Sequence, residues 1–207
     1  MSYLTNSERN IAAELLAQGY QKAAQSFSMM AKQNITINPT SIEISKDDLK
    51  VIKSIKSDNE LILITTNIIG ELTGKSYLLF NEEECNAVYT SCMPFNEDEY
   101  SRMMEGEAIL KELDNILSAA VITEFSNYLD VMIFGDVPLL SRSNQAAVKN
   151  KIINDFNKES GESGYFMVAN TQFVFENNTS LQPQFIWKMT EGFMDKVKEV
   201  SNKKVAS

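Results

Sequence analysis

The chain has 207 residues, 43% apolar and 23% charged, with a net charge of −9 and no histidine. This is the composition of a globular protein with ample chain for a core, and its acidic balance argues against nucleic acid. Without histidine, Ser-His-Asp and Cys-His catalysis, His-rich zinc sites and any histidine general base are excluded.

No apolar run approaches the roughly 20 residues that cross a bilayer, so no membrane span is expected. The first residues, Met1 to Thr5, lack the basic and apolar regions of a secretory signal, and a cytoplasmic location is expected. Thr5 and Glu8 have the spacing of a capping box for a helix running to about Lys32, with Ile11, Leu15, Leu16, Ala23, Phe27 and Met30 on its apolar stripe. Asn34–Ile44 alternates around Pro39 as a strand does, and Asp47–Ile55 reads as a short helix. Leu61–Ile69 and Ser76–Phe80 read as two strands joined by a Gly70–Gly74 turn. The two glycines lack the partners of a phosphate-binding loop. Asn81 and Glu84 cap a helix to about Met93, stopped by Pro94. It carries Cys85 and Cys92 roughly 10 Å apart, too far for a disulfide, so buried thiols are expected.

A long helix follows over about Glu97–Leu129, then a strand at Val131–Phe134 ending near Pro138. Ser143 is expected to cap a helix to about Phe156, followed by a break at Gly161–Gly164, strands at Tyr165–Phe175 and Phe185–Met189, and a helix over about Glu191–Val200. The lone Trp187 is expected to be buried. Met29, Met30, Met103 and Met104 read as core or edge contacts.

Both halves thus read helix, strand, helix, strand, strand, helix, over about 1–95 and 96–207. An offset of 98 places Glu14 on Glu112, Leu15 on Leu113, Phe27 on Phe125 and Ser28 on Ser126. This predicts an internally duplicated, two-layer α/β (α+β) fold, with long helices on a shared, largely antiparallel sheet.

The long second helix carries an unusual stripe. Ile109, Leu113, Ile116, Leu117, Ala120 and Val121 follow the helical period on one side. Roughly opposite stand Ala108, Glu112, Asn115, Ala119 and Ser126, one carboxylate and one carboxamide flanked by small residues. Asp114 either intrudes on the packed side or draws in a lysine.

Glu112-Leu113-Asp114-Asn115-Ile116, with Ser126, Pro138 and Gly74-Lys75-Ser76-Tyr77-Leu78-Leu79-Phe80, resembles the chemotaxis phosphatases of the CheC, CheX and FliY group over nearly the whole chain. The likeness looks closest to CheC, also a duplicated chain, and it implies a single domain over 1–207. The family motif is Glu-x-x-Asn on each long helix, usually with Asp or Ser four residues before the Glu and Gly four after the Asn. Here Ala108 and Ala119 take those flanking positions. The first helix keeps Glu14 but has Ala17 for the asparagine and Gln21 for the glycine, so one working site and one degenerate site are expected.

The resemblance implies hydrolysis of the aspartyl phosphate of a CheY-like response regulator in chemotaxis or related two-component signalling. Asn115 would hold a water in line with the scissile P–O bond, and Glu112 would pair with the regulator's lysine. The resemblance implies no cofactor or metal of the chain's own, because the regulator would bring Mg²⁺. The alternative is a non-catalytic adaptor that binds a response regulator or a CheD-like deamidase. A third reading is an oligomerisation scaffold.

Overall fold

Apolar strand runs build an antiparallel sheet that buries side chains on both faces. A computed structural model describes residues 4–46, 55, 60–92, 99–157, 164–177 and 179–205. In chain order these form α1 (Asn6–Ala31), β1 (Ile35–Ser45), β2 (Leu61–Gly70), β3 (Gly74–Asn81), α2 (Glu82–Cys92), α3 (Glu99–Leu129), β4 (Ile133–Gly135), β5 (Leu139–Ser143), α4 (Gln145–Asn157), β6 (Tyr165–Phe175), β7 (Ser180–Leu181), β8 (Gln184–Met189) and α5 (Glu191–Val205). The short helix expected at Asp47–Ile55 falls outside the described residues except for Ile55, as does most of the Gly161–Gly164 break.

The sheet order is β1-β6-β8-β3-β2-β4, with β5 also on β2 and β7 on β6, and every pairing is antiparallel. The outer strands cross between the halves of the chain. β1 pairs with β6, and β4 and β5 pair with β2. Each outer run is broken near a proline: the β1 register shifts between Pro39 and Ser41, and β4 and β5 are separated by Asp136–Pro138.

One face carries the larger core. Leu15, Leu16, Tyr20 and Phe27 of α1 and Leu110, Leu113, Leu117 and Val121 of α3 pack with Ile62, Ile64, Phe185 and Trp187 from the strands. The opposite face buries Leu61, Leu63, Tyr77, Leu79, Phe166 and Ile186 against Ile55 and against Val148 and Ile152 of α4. The long helices thus form the expected helix-on-sheet layer, and α4 adds partial cover behind the sheet. Strand runs such as Leu61–Ile64 are apolar throughout because both faces are buried.

Side chains fix the helix ends. Glu8 N donates to Thr5 Oγ1 at 3.3 Å and Thr5 N to Glu8 Oε2 at 2.7 Å, closing the capping box on α1. Asn81 and Glu84 make the same reciprocal pair on α2, at 2.8 and 2.9 Å. α1 and α3 end alike: Lys32 and Asp130 are left-handed (φ 52° and 53°), and Gln33 N and Val131 N donate back to Ser28 O and Ser126 O, each at 3.2 Å.

Some expectations need correction. Asn144, not Ser143, caps α4, accepting from Ala147 N at 2.9 Å, because Ser143 is the last residue of β5. Strands β5 and β7 have no counterpart in the sequence reading, and α5 continues to Val205. Met29, Met103 and Met104 are exposed, and only Met30 packs against the core. Trp187 is fully buried and donates from Nε1 to Tyr20 Oη at 3.3 Å. Among the described residues no helix is long and apolar enough to cross a membrane.

α1 meets α3 at Gly19, where an added Cβ would lie 2.6 Å from Val121 Cγ2 and 2.7 Å from Val121 Cα. In an exposed helix Gly→Ala gains about 1 kcal/mol. Here the methyl would have to push against helix backbone, and overpacking of this kind costs about 1–3 kcal/mol. Gly19→Ala should therefore lower the midpoint of thermal unfolding followed by circular dichroism, whereas helix propensity alone would raise it.

Candidate functional site

The turn Glu112–Asn115 of α3 is divided by the helical period. Leu113 and Asp114 face the sheet and are fully buried, while Glu112 and Asn115 are exposed. With Ala108 and Lys111 they line one side of an open groove of about 410 Å³. The other side is Gly135, Asp136, Val137 and Pro138, the segment between β4 and β5. Among the described residues neither the Glu112 carboxylate nor the Asn115 carboxamide has a hydrogen-bond partner.

The second wall arises from a bulge. β4 aligns Gly135 with Ile68, and β5 aligns Leu139 with Thr65, so the chain carries one more residue than β2 across this gap. An extra residue bends the strand locally, and such bulges re-aim side chains beside functional sites. Asp136 N still donates to Asn67 O at 2.8 Å, and Val137 N turns to Asp136 Oδ1 at 2.7 Å. Pro138 has no N–H to leave unpaired. Gly135 allows the strand to pass close over α3 and β2, since a Cβ there would lie 3.3 Å from Ile122 Cδ1 and 3.4 Å from Thr66 Cγ2.

The flanking residues separate. Ala108 lines the groove, and Ala119 is exposed one turn beyond Asn115. Pro138 lies in the groove wall. Ser126 does not; it is half-buried and donates from Oγ to Val131 O at 2.5 Å, bracing the turn from α3 into β4. On α1, Glu14 is exposed and accepts from Gln18 Nε2 at 3.3 Å, while Ala17 at the asparagine position is half-buried. That helix offers a carboxylate with no carboxamide three residues on; the carboxamide it meets is that of Gln18, four residues on.

Asp114 lies on the packed side, with no lysine beside it among the described residues. Its Oδ2 accepts from Thr66 Oγ1 at 2.6 Å, while Oδ1 is buried without a partner among the described residues. Burial pushes its pKa up to about 7, partly offset by the Thr66 hydrogen bond. The turn that turns two polar heads outward is therefore pinned to β2 by a third facing inward. Of the two placements the sequence leaves open for Asp114 the packed side holds, while its partner Thr66, and Lys111, Asp136 and Val137 as groove residues, were missed. The Gly135–Pro138 run was a turn signal, but nothing local says which helix it faces.

Among the residues that line the groove there is no thiol or hydroxyl, and the two cysteines lie elsewhere. Burial raises the thiol pKa of Cys85 to about 12 and of Cys92 to about 11, so both stay protonated near neutrality. A carboxamide can hold a water by donating and accepting at once, and a free carboxylate can receive a cation. The groove can therefore orient water and dock a positive charge.

No family model matches this sequence, and no curated protein matches it. Solved structures share its fold. FliY from Thermotoga maritima superposes with a TM-score of 0.72 at 16% identity, covering 98% of this chain and 100% of that one. A chain of the FliM–SpeE complex from H. pylori gives 0.64 at 7% identity, covering 96% and 98%. The chemotaxis protein CheX from Desulfovibrio desulfuricans gives 0.52 at 12% identity, covering 85% and 99%. The chain has the mixed α/β fold of the CheC, CheX and FliY group.

Asp114 sets a pH dependence. Its folded pKa lies above the unfolded value of about 4, so the native state holds the proton more tightly. The contribution of Asp114 to stability therefore falls as pH rises from about 4 through about 7, by an amount on the order of a few kcal/mol, and is constant above that. Asp114→Asn keeps an acceptor for Thr66 without the charge. Thermal melts should show the variant gaining on the wild type between pH 5 and pH 8; equal pH profiles would mean the carboxyl ionises freely in the fold.

Proposed function

We propose that the chain is a phosphatase acting on the aspartyl phosphate of a CheY-like response regulator in cytoplasmic signalling of the chemotaxis type. The observation that carries this reading is the placement of Glu112 and Asn115, exposed and without partners among the described residues, along one side of a groove walled by Gly135–Pro138. An acyl phosphate is already reactive, so catalysis consists mainly of positioning and electrostatics. Asn115 enters the regulator's site and holds a water in line with the P–O bond, accepting from it and donating to it without adding negative charge. Glu112 pairs with the regulator's lysine and sets the approach of α3. Asp136 adds a second carboxylate at the rim, and Lys111 a nearby cation able to face phosphate. Mg²⁺ belongs to the regulator, and no cofactor of this chain takes part.

A second reading is a non-catalytic adaptor that binds a response regulator or a CheD-like deamidase. It is favoured by Ala17 at the asparagine position of α1 and by Ala108 and Ala119 beside the α3 pair. A solved chain whose fold this one shares is itself part of a complex, that of FliM with SpeE.

Decay of a phosphorylated receiver domain separates the two. Wild type should accelerate it. Asn115→Ala should lower the rate at saturation by roughly 10- to 100-fold, the scale of losing one positioned polar group. Glu112→Ala should raise the half-saturating regulator concentration about tenfold, which corresponds to one lost charge pair, with recovery at high concentration. Binding without any change in decay would select the adaptor.

A further inference from the structure

Both walls of the groove hang from one dipeptide of β2, Thr66-Asn67. The backbone of Asn67 carries the outer wall: Asp136 N donates to Asn67 O at 2.8 Å, and Gly135 pairs with Ile68 beside it. The side chain of Thr66 carries the inner wall. Its Oγ1 donates to Asp114 Oδ2 at 2.6 Å, and Asp114 is the chain neighbour of Asn115. The walls also approach each other directly at Gly135. A Cβ there would lie 3.4 Å from Thr66 Cγ2 and 4.0 Å from Ser118 Oγ, and Ser118 Oγ in turn donates to Asn115 O at 3.4 Å. Thr66 and Ser118 are buried, so they act on the groove from behind it.

We infer that Thr66 is the positioning residue of the groove: through Asp114, its hydroxyl fixes where Asn115 stands relative to the Asp136–Pro138 wall. The inference rests on the phosphatase reading for what that placement does to the rate. Leu110, Leu113, Leu117 and Val121 hold α3 on the sheet by apolar contact, which has no direction. The hydrogen bond to Asp114 has direction, and it comes from the strand that also carries the opposite wall. The two outward heads depend on it unequally. The Glu112 side chain is long and flexible, and its attraction to a lysine tolerates a shifted approach. A water held in line by Asn115 does not, since a misplacement of about 1 Å can cost about 100-fold in rate. Loss of the Thr66 hydroxyl therefore acts on turnover and leaves docking nearly intact.

The test uses the full chain, with decay of a phosphorylated receiver domain for turnover and nuclear magnetic resonance of the free chain for geometry. Thr66→Val keeps the branched shape and removes the donor. It should lower the decay rate at saturation about tenfold or more and move the half-saturating concentration by less than about threefold. Thr66→Ser keeps the hydroxyl and should stay within about threefold of wild type in both. Ile64→Val trims the same buried face of β2 two residues away, spares the hydrogen bond, and should likewise leave both unchanged. In the free chain, Thr66→Val should bring microsecond-to-millisecond exchange to the Asn115 carboxamide and the Asp136 amide while α5 stays quiet. If wild type accelerates decay and Thr66→Val costs no more turnover than Ile64→Val, the positioning role is overturned and the phosphatase reading stands. If Thr66→Val raises the half-saturating concentration at an unchanged rate, the hydroxyl serves docking and the inference is overturned. If wild type leaves decay unchanged, the phosphatase reading falls and the resonances alone decide. Exchange at Asn115 and Asp136 then upholds Thr66 as the residue that fixes the groove, and spectra like those of wild type overturn it.

Discussion

The exchange of outer strands between the two halves is the constraint on which the rest of the molecule depends. β1 completes its hydrogen bonds on β6, and the β4–β5 run completes its own on β2. Neither half could keep its sheet without the other, so the long helices α1 and α3 are held side by side on one continuous surface. Because the β4–β5 run must follow β2 and yet carries one residue too many, the surplus is expelled at Asp136–Pro138. That surplus becomes the wall opposite Glu112 and Asn115. The groove is thus a by-product of how the sheet is closed.

Within that frame, Thr66 and Asp114 set the rotation of α3. A helix packed only by Leu110, Leu113, Leu117 and Val121 could turn slightly about its axis at little cost. A short hydrogen bond from a strand hydroxyl to a buried carboxyl is directional and removes that freedom. The cost is a carboxyl whose second oxygen finds no donor, in a site where charge is disfavoured.

Most of the long elements were legible in the sequence because their local signals agree with their surroundings. The capping pairs Thr5/Glu8 and Asn81/Glu84 state their helix starts, and the Leu61–Phe80 hairpin shows apolar runs around a glycine turn. The outward pair on α3 was legible as well, since a three-residue spacing fixes a shared face whatever the helix packs against. Strand β5 was not legible. Ser141, Arg142 and Ser143 interrupt the alternation, and as an outer strand it places only Leu140 against the larger core. The choice between the two placements of Asp114 was not legible for a different reason: its partner Thr66 lies 48 residues away in sequence. Phe134, Val137 and Leu139 look like core residues by hydropathy, and only the tertiary fold leaves them in solvent.

Strand exchange also bears on how the chain is made. The partners of β1 lie about 130 residues downstream, as the bond from Thr40 Oγ1 to Asn170 O illustrates. When a ribosome has released α1 through α2, β1 already exists while β6 has not been synthesised. The nascent chain must then shelter an unpaired strand of alternating isoleucines until nearly the whole protein has emerged. Contacts this distant slow folding and extend the time during which a bare edge can recruit a neighbouring nascent chain. Pro39 and the neighbouring polar residues Asn38, Thr40 and Ser41 interrupt that edge at its midpoint, which makes it a poor template for foreign strands. A proline that shapes the finished sheet thus also protects the chain during synthesis.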